Sequence, residues 1–272
     1  MACDRPSEGG TSAAAAFYPL GFVAGRVGGD RVAVHDLTPA GTEPHDLELD
    51  PDDTADLLDA DLAVVMGGGF QPAVEDAVDQ RDDGTVVVLD EVSDVDEHDP
   101  HVWLDPARMV EVVDAVERSL REVDPDGAAA YARNADALRA DIAALDDEYR
   151  AGLRTCRSRR LVTSHDAFDY LAGRYDLEVD AVAGISPDAE PDPARLGDLA
   201  DLAREEGVTT VFTEELVSPD IAETLAREAG GLETEVLSPI EGLTAEERAT
   251  GDDYLSLMRE NLGKLRAALG CS

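Results

Sequence analysis

Lysine is almost missing from this chain, which carries one, Lys264. Basic residues of all kinds number 22 against 61 acidic ones, giving a formal charge of -39. Such an excess repels nucleic acid and anionic membrane surfaces, so no nucleic-acid partner is expected and cations are favoured. A solvated acidic shell accounts for most of the charge, which therefore supports cation binding only weakly. The lysine deficit fits a high-GC genome or adaptation to salt and does not separate the two. Long apolar runs are also lacking. No stretch approaches the roughly 18 apolar residues that a spanning helix needs, so any membrane attachment is expected to be terminal. Aromatics are scarce at 4%, yet hydrophobic residues reach 43%, enough for a packed core and against wholesale disorder. At 272 residues the chain is long enough for two such cores.

Cysteine is limited to three residues: Cys3, Cys156 and Cys271. The opening Met1-Ala2-Cys3-Asp4 and the polar stretch to Ser12 read as a flexible lipoprotein-type terminus over 1–12, with a lipid on Cys3 anchoring an extracytoplasmic protein to the cell membrane; a chance early cysteine is the alternative. Cys156 and Cys271 then remain as a pair that suits an oxidising compartment. A disulfide is expected there, with two buried free thiols as the alternative.

What is present is an alternation of short apolar runs with helical spacing. The runs Ala13 to Phe17, Arg31 to Val34, Leu62 to Met66 and Thr85 to Leu89 read as parallel strands of one α/β lobe, 13–126. A second series, Arg160 to Thr163, Leu177 to Val182, Thr209 to Phe212 and Thr234 to Leu237, reads as another, 156–272. Between them Ala107 to Val123 reads as one helix, Asp124-Pro125-Asp126 interrupts it, and Gly127 to Thr155 reads as a longer helix linking the lobes. Its apolar stripe is Tyr131, Leu138, Ile142, Leu145 and Tyr149, and a helix of that length spans about 40 Å. The fold class is α/β: two parallel-sheet lobes joined by a long helix, with a site in the cleft between them.

Three of the five histidines sit where a strand or loop meets a turn: His45 in Glu43-Pro44-His45-Asp46, His101 in Asp99-Pro100-His101-Val102-Trp103, and His165 in Thr163-Ser164-His165-Asp166. Ligands of open parallel sheets bind beyond the carboxyl ends of strands, which makes these three the candidate metal ligands. Neutral imidazole suits Zn²⁺ better than magnesium or calcium. Taken singly, each fits a structural role better than a ligand. His35 follows a strand and reads as structural; His98, in an acidic loop, is a minor candidate for metal delivery. Three histidines plus water would also fit a zinc hydrolase, but no His-Glu-x-x-His helix is present and no base is placed beside the water, so no enzyme is expected.

At these segments the sequence resembles the zinc- and manganese-binding receptors of ABC importers, the long-helix class of solute-binding proteins. The resemblance runs through Phe17-Tyr18-Pro19-Leu20, Glu43-Pro44-His45-Asp46, Gly67-Gly68-Gly69-Phe70, Asp99-Pro100-His101-Val102-Trp103-Leu104-Asp105-Pro106, Thr163-Ser164-His165-Asp166-Ala167-Phe168 and Tyr254-Leu255-Ser256-Leu257-Met258. It implies a monomeric lipoprotein that captures Zn²⁺ at His45, His101 and His165 and delivers it to an ABC transporter permease. It also implies the pairing of Cys156 with Cys271. Manganese-type members usually carry Glu where this chain has His165, so imidazole there argues for zinc over a manganese receptor of the same family. An Asp ligand common after the last strand is replaced by Ser238, and a Glu that precedes the first histidine in others is Pro44. Water is therefore the expected fourth ligand, with Glu241 or a carboxylate near Glu214 and Glu215 as outside candidates. A surface adhesin or structural lipoprotein without transport is the remaining rival. The His-rich loop of zinc-type members is reduced to His98.

Overall fold

The computed structural model describes residues 10–96, 98–186 and 193–272. Cys3 and nearly all of the expected lipoprotein terminus lie outside the described residues. The chain forms β1 (Thr11–Ala15), α1 (Tyr18–Gly28), β2 (Val32–Asp36), α2 (Pro51–Asp59), β3 (Leu62–Val65), α3 (Pro72–Val78), β4 (Thr85–Val87) and α4 (Val88–Glu91). Then follow α5 (Pro106–Val123), α6 (Ala128–Gly152), β5 (Arg160–Thr163), α7 (Asp169–Tyr175), β6 (Glu178–Ala181), α8 (Pro193–Glu206), β7 (Thr210–Thr213), α9 (Asp220–Glu228), β8 (Glu233–Val236), α10 (Ala245–Thr250) and α11 (Tyr254–Leu269). None of the described helices is long and apolar enough to cross a membrane.

Two compact units emerge: Met1–Pro100 with Ala107–Ala143 and Glu241–Ala245, and His101–Pro106 with Ala144–Ile240 and Glu246–Ser272. The first holds a parallel sheet in the order β2-β1-β3-β4, the second a parallel sheet in the order β6-β5-β7-β8. In both, the chain starts in an inner strand, winds outward to one side and then returns to the other. The carboxyl ends of β1 and β3, and of β5 and β7, are therefore switch points where a crevice opens.

The inner strands are short, with mostly apolar residues because both faces are covered. All four residues of β3, Leu-Ala-Val-Val, are buried, as are Ala13, Ala14 and Ala15 of β1. α1 lies so close to β2 that a Cβ on Gly21 would stand 1.8 Å from Asp36 Oδ1, so any side chain there would force the Asp36 carboxylate to move. In the second unit Val162 and Val211 of the sheet pack with Leu199, Ala203, Leu225 and Ala226 of α8 and α9. Each of these valines and leucines contributes about 1.5–3 kcal/mol by leaving water.

Turn chemistry sets the helix starts. Asp50 accepts from the backbone N–H of Asp52 and Asp53 ahead of Pro51, and Asp253 with Ser256 forms a capping box that opens α11. Asp124 stops the chain between α5 and α6 by accepting from Gly127 N–H, and Tyr131 donates to its Oδ2 at 2.6 Å. In α6 the expected stripe Tyr131, Leu138, Ile142, Leu145 and Tyr149 is buried throughout. Tyr149 donates to Met258 O at 2.6 Å, so its hydroxyl is buried without cost. Cys156 and Cys271 form a disulfide.

The elements depart from expectation at their ends. The long helix starts at Ala128 and stops at Gly152, because Gly127 belongs to a separate 3-10 turn. The fourth run stops pairing at Val87, and its last residues turn into α4. His35 lies within β2, not after it.

Candidate metal centre

In the second unit, Thr163 ends β5 and the chain turns at Ser164 to present His165. Thr163 Oγ1 donates to the His165 carbonyl at 2.9 Å, and the imidazole is fully buried. Its Nδ1 lies 2.6 Å from Glu214 Oε1, a carboxylate just past β7 that Ser164 Oγ also donates to. A carboxylate can only accept, so it holds the proton on Nδ1 and leaves the Nε2 lone pair facing outward. That lone pair meets Nε2 of His101 at 3.4 Å.

His101, also fully buried, precedes a 3-10 turn, Val102–Leu104. Trp103 fixes that turn: its ring lies 5.1 Å from the His101 ring, its indole N–H donates to Pro239 O at 2.7 Å, and its carbonyl accepts from Tyr254 OH at 2.6 Å. The gap of 3.4 Å between the two nitrogens is long for an N–H···N hydrogen bond. It equals the edge of a zinc tetrahedron, since two ligands at about 2.0–2.1 Å from one tetrahedral ion stand about 3.3–3.4 Å apart.

In the first unit His45 follows β2 in a turn stabilised by its own N–H donating to Glu43 Oε1 at 3.0 Å. Its ring packs edge-on against Phe70, 4.5 Å between centroids, and Phe70 packs in turn at a tilt against Phe17 at 4.8 Å. Phe70 closes the triple-glycine turn Gly67, Gly68 and Gly69, whose φ angles of 86°, 71° and 82° suit glycine alone. Across from His45 lies Glu241: Oε1 stands 3.7 Å from His45 Nε2, and the Glu241 side chain is 1% exposed. This pair is also spaced as two ligands of one ion. Glu241, one of the outside candidates for a fourth donor beside the expected water, thus faces His45 within this unit.

The other histidines are elsewhere. His35 is half-exposed and lies 3.4 Å from Asp53 and 3.7 Å from Asp56. His98 is exposed, with its N–H donating to Asp96 Oδ1 at 3.0 Å. Ser238, at the position where an Asp ligand is common, is wholly engaged otherwise. Its hydroxyl donates to Glu215, its N–H to Asn261 Oδ1 at 3.0 Å, and its carbonyl accepts from Asn261 Nδ2 at 2.7 Å.

Glu215 itself is mostly buried, and desolvation pushes its carboxyl up to about 7, against the lowering effect of the Ser238 hydrogen bond. A carboxyl raised on folding stabilises the fold below its ordinary value near 4.5, and that contribution is lost as pH climbs through 7. Glu215→Gln cannot ionise. The variant is therefore expected to be more stable than the parent at pH 8, by at most about 3 kcal/mol, with the difference gone below pH 4.5. Denaturant unfolding of both metal-free proteins at pH 4.5 and pH 8 checks this; equal gaps at the two values would refute it.

A family model for the periplasmic component A of the zinc-uptake complex matches residues 14–268. The chain belongs to this zinc-uptake component A family. Among its relatives, the zinc-binding lipoprotein AdcA of Streptococcus pneumoniae is 35% identical over 289 aligned positions, covering 98% of this chain and 58% of AdcA. The chain thus spans little more than half the length of that relative. The high-affinity zinc uptake system protein ZnuA of Bacillus subtilis is 34% identical over 274 positions, covering 93% of this chain and 86% of that protein. The crystal structure of the Zn(II)-bound ZnuA-like domain of Streptococcus pneumoniae AdcA matches with a TM-score of 0.82 at 35% identity, over 96% of this chain and 99% of that domain. The two parallel-sheet α/β units are those of the zinc-uptake component A fold.

Proposed function

We propose that the protein captures Zn²⁺ outside the cytoplasm through His45, His101, His165 and Glu241 and delivers it to an ABC-type importer. One observation carries the reading: each unit presents a pair of donor atoms at the spacing of two ligands of one ion, His101 Nε2 and His165 Nε2 at 3.4 Å in one and His45 Nε2 and Glu241 Oε1 at 3.7 Å in the other. Three imidazoles and one carboxylate make a tetrahedral donor set, and the nitrogen majority favours zinc over the harder manganese ion. The set is complete without water, so the open position that a zinc hydrolase needs for its nucleophile is filled. Binding and handover then make and break coordinate bonds to the ion and no covalent bond. The relatives named as zinc-binding and zinc-uptake proteins support the same cargo.

The permease is the partner this role requires, and the protein acts as a monomer. The relative named a lipoprotein supports a lipid on Cys3 as the membrane anchor. Mass spectrometry of the N-terminal peptide from a native membrane fraction tests the anchor. Elemental mass spectrometry of the purified protein tests the cargo: one zinc per chain is expected, and manganese in its place would overturn the assignment.

Glu214 holds the His165 ring so that Nε2 reaches the ion. Glu214→Gln keeps the shape but loses the charge, and zinc affinity is expected to fall about 10–100-fold, the usual cost of removing a carboxylate behind a metal-bound histidine. Competition against a chromophoric chelator reads this directly. An unchanged affinity would remove Glu214 from the site.

A further inference from the structure

The loop that delivers Glu241 contains a backbone anomaly. Ile240, the residue just before it, has φ 56°, a left-handed conformation that a β-branched side chain adopts only under strain. Such strain persists where neighbouring groups over-determine it, and here those groups form a chain. The Ile240 N–H donates to Ser238 Oγ at 3.0 Å, closing a side-chain turn across Pro239. Ser238 Oγ donates onward to Glu215, which stands two residues past the end of β7. The Ser238 backbone is clamped on both sides by Asn261 of α11. A hydroxyl that accepts from one side and donates to a carboxylate on the other is polarised in both directions, which strengthens both bonds.

Glu215 is an expensive way to build this turn. Its Oε2 is buried with no hydrogen-bond partner among the described residues. Nearby Glu214 and Glu247 add like charge. A glutamine or a methionine would fill the volume without that cost, and a group that costs stability where a cheaper one would serve points to function.

We infer that Glu215 and Ser238 are positioning residues for zinc, holding Ile240 in its strained conformation so that the Glu241 carboxylate is aimed at the ion. The inference rests on the proposed four-ligand site. Glu214 and Glu215 then divide the work: the first orients His165, and the second, through Ser238, orients Glu241. Neither touches the ion.

The test compares parent, Glu215→Gln, Ser238→Ala, Ser238→Thr and Glu241→Gln, all full-length. Zinc affinity is measured by chelator competition at pH 8, metal-free stability by denaturant unfolding, and coordination by the visible spectrum of the Co²⁺-loaded proteins. Glu215→Gln and Ser238→Ala are expected to bind zinc about 10–100-fold more weakly and to shift the Co²⁺ bands toward those of Glu241→Gln, while Ser238→Thr, which keeps the hydroxyl, stays near the parent. Glu215→Gln should do so while gaining stability. A purely structural role predicts instead that affinity and stability move together and that the Co²⁺ bands stay put. If Glu241→Gln is weakened but Glu215→Gln and Ser238→Ala bind within twofold of the parent, the inference falls and the site stands. If Glu241→Gln itself binds like the parent, the four-ligand reading falls and takes the inference with it.

Discussion

Replacing His165 with alanine is expected to weaken zinc binding by two to three orders of magnitude. Structural zinc sites gain about 10–16 kcal/mol on binding, so one of four ligands carries about 3–4 kcal/mol, which converts to that range. The loss is not recouped by water, because the His165 ring is fully buried and its Nε2 sits 3.4 Å from that of His101, as two ligands of one ion would. His45→Ala and His101→Ala should lose comparable affinity. His35→Ala and His98→Ala should stay within about twofold, since one is paired with Asp53 on the surface and the other lies exposed in its loop. Protons compete for imidazole nitrogens, so zinc affinity of the parent should also fall as pH is lowered. Titration against a chromophoric chelator ranks all five variants, with Mn²⁺ as a competitor. A His165→Ala protein that bound zinc like the parent, or a parent that preferred Mn²⁺ at equal free concentration, would end the zinc assignment.

The three histidines were legible in the sequence because histidine is rare here and each follows a strand-to-turn transition. Parallel α/β sheets send such turns to the crevice end, so residue type and strand placement together were enough to propose them. Glu241 was not legible in the same way. A candidate ligand carboxylate among 61 acidic residues has no contrast, and in the proposed site its aim depends on Ile240 in a left-handed conformation that no β-branched residue advertises. Glu214 and Glu215 were visible as a pair near the site, yet whether a carboxylate meets the ion or the histidine behind it is a matter of a few ångströms. The Glu214 oxygen meets Nδ1 of His165, so in the proposed site it supports that ring and leaves the ion to Nε2.

The strands and the buried stripe of α6 followed from apolar periodicity, whereas the sheet orders and the end of β4 did not. The run Thr85-Val86-Val87-Val88-Leu89 is uniformly apolar, and such a run reads the same as buried strand or buried helix. Only the pairing partner decides. β3 supplies partners for Thr85, Val86 and Val87, and beyond them the backbone curls into α4. His35 shows the reverse error. A polar residue at the edge of a sheet reads as the end of the strand, but β2 is an outer strand with alternating exposure, and a half-exposed histidine fits within it.

Removing the disulfide is expected to cost about 5 kcal/mol. Cys156 and Cys271 are 115 residues apart, and closing a loop of that length takes about this much free energy out of the unfolded chain in the chain-entropy model. The bond lies just ahead of β5 and just past α11, where Arg157 and Ser158 N–H both donate to Leu269 O and Ser272 N–H donates to Thr155 O at 3.1 Å. Those backbone bonds keep the two segments together in the folded protein without the sulfurs, so the loss falls on the unfolded side. Cys156→Ser with Cys271→Ser should therefore fold to the same structure with a thermal midpoint lower by roughly 10–20 °C. Zinc affinity at a temperature where the variant is folded should stay within a few-fold of the parent. His165 projects from the carboxyl end of β5, and the disulfide sits at its amino end, about 13 Å away along the four-residue strand. Peptide mapping of native protein under non-reducing conditions should recover the two cysteines as one cross-linked pair. Alkylation of Cys156 and Cys271 in unreduced protein would show that the bond does not form, and an unchanged midpoint in the double variant would show that it contributes nothing.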